Sequence, residues 1–353
     1  MVKSKKTADK TPHLLIIRLS AMGDVAMLVP VILSFTERYP RAKITVLTRP
    51  FFAPMFTPIP QVKVYCADVK GRHKGVFGLW KLYKELKEQH ITQVLDMHNV
   101  LRSTILGVFL KMGGVTVIKI DKGRSEKRAL TRGKNKVFQS LKSTHERYAD
   151  VFRKSGFPLE LAPKAVLHKQ ALTPKSSKFL GRTEKRKVIA IAPFAAFPGK
   201  MYPLFLMEEV LRLLKNTKRY RIILFGGGAI EKDVLQKWAN QFSGCVNAAG
   251  TFSFEQELAL ISHVDLMVAM DSGNAHLAAM YGVPVITLWG VTHPFAGFYP
   301  YAQDPHYALL ADRKKFPQIP TSVYGNKMPS GYDTVMETIP PSAVVQKIET
   351  ILQ

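Results

Sequence analysis

The sequence predicts an α/β protein: two doubly wound parallel-sheet domains facing across a cleft. Three observations carry that expectation. Strand-like runs alternate with helical patterns, the alternation starts twice, and 353 residues exceed what one simple core usually holds. The two starts are "HLLIIRL" (13–19) and "KVIAIAPF" (187–194). Such alternation implies parallel strands joined by right-handed crossovers.

In the first half, "HLLIIRL", "KITVLT" (43–48), "QVLDMH" (93–98) and "VTVIKI" (115–120) are β-branched runs bounded by turn residues, and read as strands. "FGLWKLYKELKEQ" (77–89) is a helical pattern between them. In the second half, "RIILFGGG" (221–228), "VDLMVAMD" (264–271) and "VPVITLWG" (283–290) follow "KVIAIAPF" as strands, around helices expected at 205–218, 231–241 and 254–263. The Lys-, Ser-, Thr- and Pro-rich segment 161–186 reads as the connection. The expected division is an N-terminal doubly wound domain over 1–165, a linker over 166–186 and a C-terminal doubly wound domain over 187–353. The stretch 316–341 looks irregular, and "PPSAVVQKIETILQ" (340–353) is an amphipathic helix expected to pack back on the N-terminal domain.

With 51 basic and 26 acidic residues, the net charge of +25 predicts an anionic partner: nucleic acid, an anionic membrane surface or a phosphorylated substrate. Hydrophobic residues make up 46%, enough for a sizeable core. Cys66 and Cys245 have no Cys-x-x-Cys spacing, so neither a disulfide framework nor a zinc site is suggested, and both are expected as small buried side chains in a reducing cytosol. "MVKSKKTADK" is basic without the apolar core of a secretion signal, and no apolar run reaches about 18 residues. A cytosolic protein that visits a membrane face is the expectation.

Four stretches carry chemistry. In "RLSAMGDV" (18–25), Asp24 lies just past the first strand, where open α/β sheets place ligands and where a base could deprotonate an acceptor hydroxyl; a tight turn with a capping carboxylate is the plain alternative. In "MDSGNAHLAAMYGVPVITLWG" (270–290), a strand ends in Asp271, and Ser272, Gly273 and the first helix N–H groups could receive a pyrophosphate beside His276; ordinary capping with a packed histidine is equally open. Lys200, in the loop of "APFAAFPGKMYPLF" (192–205), can neutralise a departing diphosphate, or be a surface lysine. Gly227 and Glu231, in "RIILFGGGAIEKD" (221–233), could contact phosphate and ribose, although a tight turn and a dipole-complementing acid explain them as well. Finally, the basic loop "KIDKGRSEKRALTRGKNK" (119–136), with "HERY" (145–148), is the densest positive region.

Taken together, these stretches resemble glycosyltransferase family 9, the ADP-heptose:lipopolysaccharide heptosyltransferases, over nearly the whole chain. Arg18, Ser20, Gly23, Asp24 and Val25 match its R-x-S-x-x-G-D-V opening. Asp271, Ser272, Gly273, His276, Leu277, Ala278 and Ala279 match its D-[ST]-G-x-x-H-L-A-A signature. The resemblance implies a GT-B fold of two Rossmann-like domains and an inverting, single-displacement transfer of heptose or a related sugar. The implied donor is a nucleotide-sugar such as ADP-heptose, and the implied acceptor an anionic lipopolysaccharide core or other lipid-linked saccharide at the inner leaflet.

By the same carry-over, Asp24 is the general base and Lys200 stabilises the leaving diphosphate. Ser272, Gly273 and His276 bind donor phosphates, Asp271 shapes their loop, and Phe252 lies against the nucleotide base. Arg18, Arg102, Arg124, Arg128, Arg132 and Arg147 are the acceptor-side candidates. No Asp-x-Asp pair occurs, which suits a mechanism without an obligatory metal and leaves Mg2+ at most a stimulatory role. Ala195 and Ala196 stand where many members have hydroxyl residues, Tyr202 replaces the usual Trp, and the cysteines often seen near the C-terminus are absent. Two rival readings are a nucleic-acid-binding protein, against which no known module and no interleaved aromatics appear, and a GT-B protein that binds or epimerises nucleotide-sugars without transfer.

Overall fold

The computed structural model describes residues 12–184 and 186–353; the basic "MVKSKKTADK" stretch lies outside them. The chain begins β1 (His13–Ile17), α1 (Met22–Ala26), α2 (Leu28–Arg38), β2 (Lys43–Thr48), β3 (Val62–Cys66), α3 (Gly75–Lys87), β4 (Gln93–Asp96), α4 (Leu101–Met112) and β5 (Thr116–Lys119). Next come α5 (Arg124–Thr131), α6 (Thr144–Lys154) and α7 (Pro174–Leu180). The remainder is β6 (Lys187–Ala192), α8 (Leu204–Thr217), β7 (Tyr220–Leu224), α9 (Ala229–Gln241), β8 (Cys245–Asn247), α10 (Phe254–Ile261), β9 (Leu266–Met270), α11 (Gly273–Ala279), β10 (Val285–Trp289), β11 (Ala308–Leu310) and α12 (Pro341–Leu352).

Two all-parallel sheets result, in orders β3-β2-β1-β4-β5 and β11-β10-β9-β6-β7-β8. Central strands covered on both faces need continuous apolar runs, and β9 and β10 are buried at every position. The order reverses between β1 and β4 in the first sheet, where Ile16 stands opposite Leu95, and between β6 and β9 in the second, where Ile191 stands opposite Val268. Ligands of open α/β sheets bind at such reversals, beyond the carboxyl ends of the strands.

Contacts divide the chain into two units. The first comprises 12–20, Val31–Ile120 and Tyr148–Leu161. Its core sets Leu15, Ile17 and Val94 of the sheet against Leu82 and Leu86 of α3 and Leu106 and Leu110 of α4. The second unit comprises Ala21–Pro30, Asp121–Arg147 and Ala162–Gln353. Its core joins Ile189, Leu224 and Val268 to Leu211 and Leu214 of α8 and Trp238 of α9.

Several expectations are corrected. The C-terminal helix α12 packs on α8 within the second unit's core through Val344 and Ile348, because its apolar stripe matches that of α8. The basic loop is half helical: α5 starts after Gly123, which takes a left-handed conformation (φ 58°) that a side chain would disfavour. Segment 161–186 contains α7, capped by Thr173, whose hydroxyl accepts from the Ser176 N–H. The exposed Cys66 ends β3, an edge strand absent from the sequence reading, whereas Cys245 is buried. Among the described residues, no helix is long and apolar enough to cross a membrane.

Candidate functional site

The reversal between β6 and β9 brings two predicted residues together. The chain leaving β6 makes a 3-10 turn, Pro198–Lys200, and the chain leaving β9 reaches Asp271; the Lys200 ammonium and the Asp271 carboxylate pair at 2.9 Å. Both side chains are largely sheltered from solvent, 15% and 7% exposed, so the pair holds a cation at a fixed place. Glycines make this approach possible. A methyl group on Gly290 would lie 2.4 Å from the Gly199 carbonyl oxygen, and one on Gly325 would lie 2.3 Å from Lys200 Cγ. The lysine stem therefore runs against the backbone of the 321–327 loop.

Ser272 is the N-cap of α11 and makes no side-chain cap hydrogen bond. Its Oγ is buried without a partner among the described residues, a state that costs free energy unless a ligand or water satisfies it. His276, one turn on, is buried, and its Nδ1 also lacks a partner. Burial pushes its pKa down to about 4, against the opposing pull of Asp271 and Asp24, so the imidazole is neutral at pH 7.

Asp24 lies on α1, which packs on α11 inside the second unit. Its place after β1 suggested that it acts from the other domain; contacts instead group Ala21–Pro30 with the unit that carries Lys200 and Asp271. The approach is glycine to glycine. A methyl group on Gly23 would lie 3.0 Å from His276 Cδ2 and 3.4 Å from Gly273 Cα, and one on Gly273 would meet Met22 Cε at 2.4 Å. The Asp24 carboxylate accepts from the Ala21 N–H at 3.4 Å, so the capping reading also holds. The chain breaks between α1 and α2, with Pro30 in the first turn of α2.

The other donor-side candidates are more engaged. Glu231 accepts the Gly227 N–H at 2.6 Å, a bond that stabilises the glycine turn itself. Phe252 is half-buried, edge-on to Phe179 at 4.9 Å, with the Lys175 ammonium 5.0 Å from its ring centre.

The arginines separate into two groups. Arg18 is buried and donates to the Met97 carbonyl at 2.6 Å; Arg147 is buried, pairs with Glu126 at 2.5 Å and donates to the Lys142 carbonyl. Both serve internal bonds in this structure. Arg102 is exposed in the first turn of α4, in the first unit. Arg124, Arg128 and Arg132 line a cavity of about 970 Å³ between α5 and the 321–327 loop. Lys122, Lys127 and Lys327 line it too, and no carboxylate does.

Sequence reading missed Lys327 and Gly325, which sit in the segment taken as merely irregular, and missed His145. The latter is buried, its rings 5.0 Å from Tyr301, and burial together with His276 pushes its pKa down to about 3. The Pro-rich composition of 316–341 reads as irregular structure, and nothing in it signals a partner for α5.

Two parallel α/β sheets, each with one reversal of strand order, give the chain the GT-B fold of its structural neighbours. The profile of glycosyltransferase family 9 (heptosyltransferase) matches residues 79–321, and the chain belongs to that family. It is 29% identical over 290 residues to the lipopolysaccharide core heptosyltransferase OpsX of Haemophilus influenzae, covering 80% of each chain. A lipooligosaccharide heptosyltransferase 2 of the same organism is 27% identical over 301 residues, covering 80% of this chain and 84% of that one. Among solved structures, a family 9 glycosyltransferase from Veillonella parvula superposes with a TM-score of 0.73 at 19% identity over 98% of both chains. Escherichia coli heptosyltransferase WaaC with ADP superposes with a TM-score of 0.68 at 20% identity, over 96% of this chain and 99% of that one.

Proposed function

We propose that this enzyme moves heptose from ADP-heptose to an anionic, lipid-linked saccharide of the lipopolysaccharide core, with inversion. One observation carries the reading: Asp24, His276, Ser272 and the Lys200–Asp271 pair belong to elements packed together in one unit at the β6/β9 reversal. The lipopolysaccharide heptosyltransferases to which the chain is similar, and the WaaC structures with ADP and with ADP-2-deoxy-2-fluoro heptose, support the donor.

In the proposed step the Asp24 carboxylate takes the proton of the acceptor hydroxyl as that oxygen bonds to the sugar's anomeric carbon. The bond from that carbon to the β-phosphate oxygen breaks, and ADP leaves with the electron pair. Single displacement inverts the anomeric centre. Lys200 offsets the charge that develops on the diphosphate, and the Ser272 hydroxyl and Gly273 N–H donate to it. Asp271 holds the ammonium in place before the donor arrives, and neutral His276 contributes a hydrogen bond without charge. Phe252 supplies an apolar surface for the base. The α5 cavity, lined by six cations and no carboxylate, receives the acceptor's anionic groups through Arg124, Arg128, Arg132 and Lys327. The net charge of +25 supports action at the cytoplasmic face of the inner membrane.

Asp24→Asn tests the assignment. Transfer should fall by roughly 10²–10⁴-fold, the usual contribution of a general base, while the thermal shift given by ADP-heptose stays unchanged. Retained transfer, or equal loss of donor binding and transfer, would remove Asp24 from the role. Transfer should persist in EDTA, and ADP should stabilise the protein more than UDP, GDP or CDP.

A further inference from the structure

We infer that the outer faces of α3 and α4 form a docking surface for an anionic lipid bilayer. On α4, Leu101, Val108 and Met112 are exposed, while Leu106 and Leu110 face the core and Ile105 and Phe109 lie half-buried at its margin. Leu101 is 78% exposed and Met112 73%. On α3, Phe77 is 92% exposed, with Val76 and Trp80 beside it. The two helices meet where Trp80 stands edge-on to the half-buried Phe109 of α4 at 5.1 Å, which sets their exposed apolar residues on neighbouring elements. Scattered exposed apolar residues need no explanation, but a group of them on two adjacent helices does.

Charge selects the occupant. Lys74, Lys81, Lys84 and Lys87 are exposed along and beside α3, and Arg102 and Lys111 along α4. The one carboxylate within α3, Glu85, is bonded to Arg72, His73 and Tyr65, and α4 has none. Two copies of this face would set like charges together. A surface that is apolar below and anionic above, as a bilayer with acidic headgroups is, accepts both the apolar residues and the lysines. Trp80, with the Lys84 ammonium 5.9 Å from its ring, is the side-chain type that sits at the headgroup level. The inference shares the lipid-linked acceptor of the reading above but rests on separate residues in the first unit.

The test is vesicle flotation of the full chain and of the triple variant Phe77→Asp, Leu101→Asp, Met112→Asp, whose three sites are too exposed to disturb the core. The wild type should float with phosphatidylglycerol/phosphatidylethanolamine vesicles and not with phosphatidylcholine vesicles, and salt should weaken the binding. The triple variant should lose on the order of tenfold or more in partitioning, since each change removes an apolar anchor and adds an anion. Its turnover on a delipidated, water-soluble acceptor should match the wild type. Absence of wild-type binding, undiminished binding by the variant, or a wild-type dimer that the variant abolishes would overturn the inference. Because flotation needs no catalysis, failure of the docking surface and failure of the proposed transfer are read separately.

Discussion

Gly23→Ala is the smallest change that should separate catalysis from stability in this protein. An alanine at a helical position ordinarily gains about 0.5–1 kcal/mol over glycine, and Gly23 lies within α1 without a positive φ. Here the added methyl group would stand 3.0 Å from His276 Cδ2, inside the 3.4–4 Å of ordinary contact. The ring is buried and cannot swing into solvent, so α1 must retreat from α11 by roughly 0.5–1 Å to restore normal van der Waals separation. Overpacking of this kind costs about 1–3 kcal/mol, which the helix gain partly offsets, leaving a net loss of at most about 2 kcal/mol. Asp24 is the next residue, and it moves with α1. A displacement near 1 Å can lower turnover by about 10²-fold. Heptose transfer measured beside the melting temperature should therefore show kcat down by one to two orders of magnitude, on the order of 10–10², in a folded enzyme that still responds to ADP. Gly133→Ala, where a methyl group would meet nothing within 4 Å, should change neither. Full activity in Gly23→Ala would refute the idea that the α1–α11 approach fixes the base.

Ser272→Ala should leave stability unchanged or slightly higher, because the buried Oγ has no partner to lose, while donor affinity falls by about 1 kcal/mol, or several-fold, in calorimetric titration. Tyr202→Phe should do the reverse: its buried hydroxyl donates to the Ile339 carbonyl at 2.7 Å, and leaving that acceptor unmatched should cost about 1–3 kcal/mol in denaturant unfolding with turnover preserved. Acidification should destabilise through three histidines. Burial holds His276 and His293 at about 4 and His145 at about 3, below the unfolded value near 6.5, so the unfolded chain binds more protons between those limits. Their contribution is complete above pH ~6.5 and is lost as the pH falls toward ~4 and then ~3; melting curves of His145→Gln should show a shallower acid slope.

The two starts of the fold were legible because central parallel strands are apolar at nearly every position, a pattern that survives without knowledge of neighbours. The edge strands β3 and β8 escaped because "VKVYC" and "CVN" are short, and charge or exposure interrupts their apolar signal. Asp24, Lys200, Asp271 and Ser272 were legible as residues following strands, which is where the reversal of strand order puts ligands. Their grouping was not. It depends on Gly23 against Gly273 and on Gly290 against Gly199, close approaches between segments about 250 and 90 residues apart, and a lone glycine gives no sign of which backbone it faces. Arg18 and Arg147 show the converse difficulty, since nothing in an arginine's sequence neighbourhood tells whether a carbonyl or a ligand will take its N–H groups.

The glycines also connect the two halves of the proposed reaction. Lys200 is held from one side by Asp271 and along its stem by Gly325, and Gly325 belongs to the loop that walls the cationic cavity with Ser322, Tyr324, Asn326 and Lys327. The six cations that line the cavity repel one another, and an anion entering among them lowers that repulsion. An acceptor bearing negative charge would relieve that repulsion and draw the 321–327 loop toward α5. A side chain on Gly325 would collide with Lys200 Cγ and Cδ, so the loop backbone lies directly against the lysine stem. In the proposed reaction, an acceptor held in the cavity would thus bear on the position of Lys200 through the 321–327 loop.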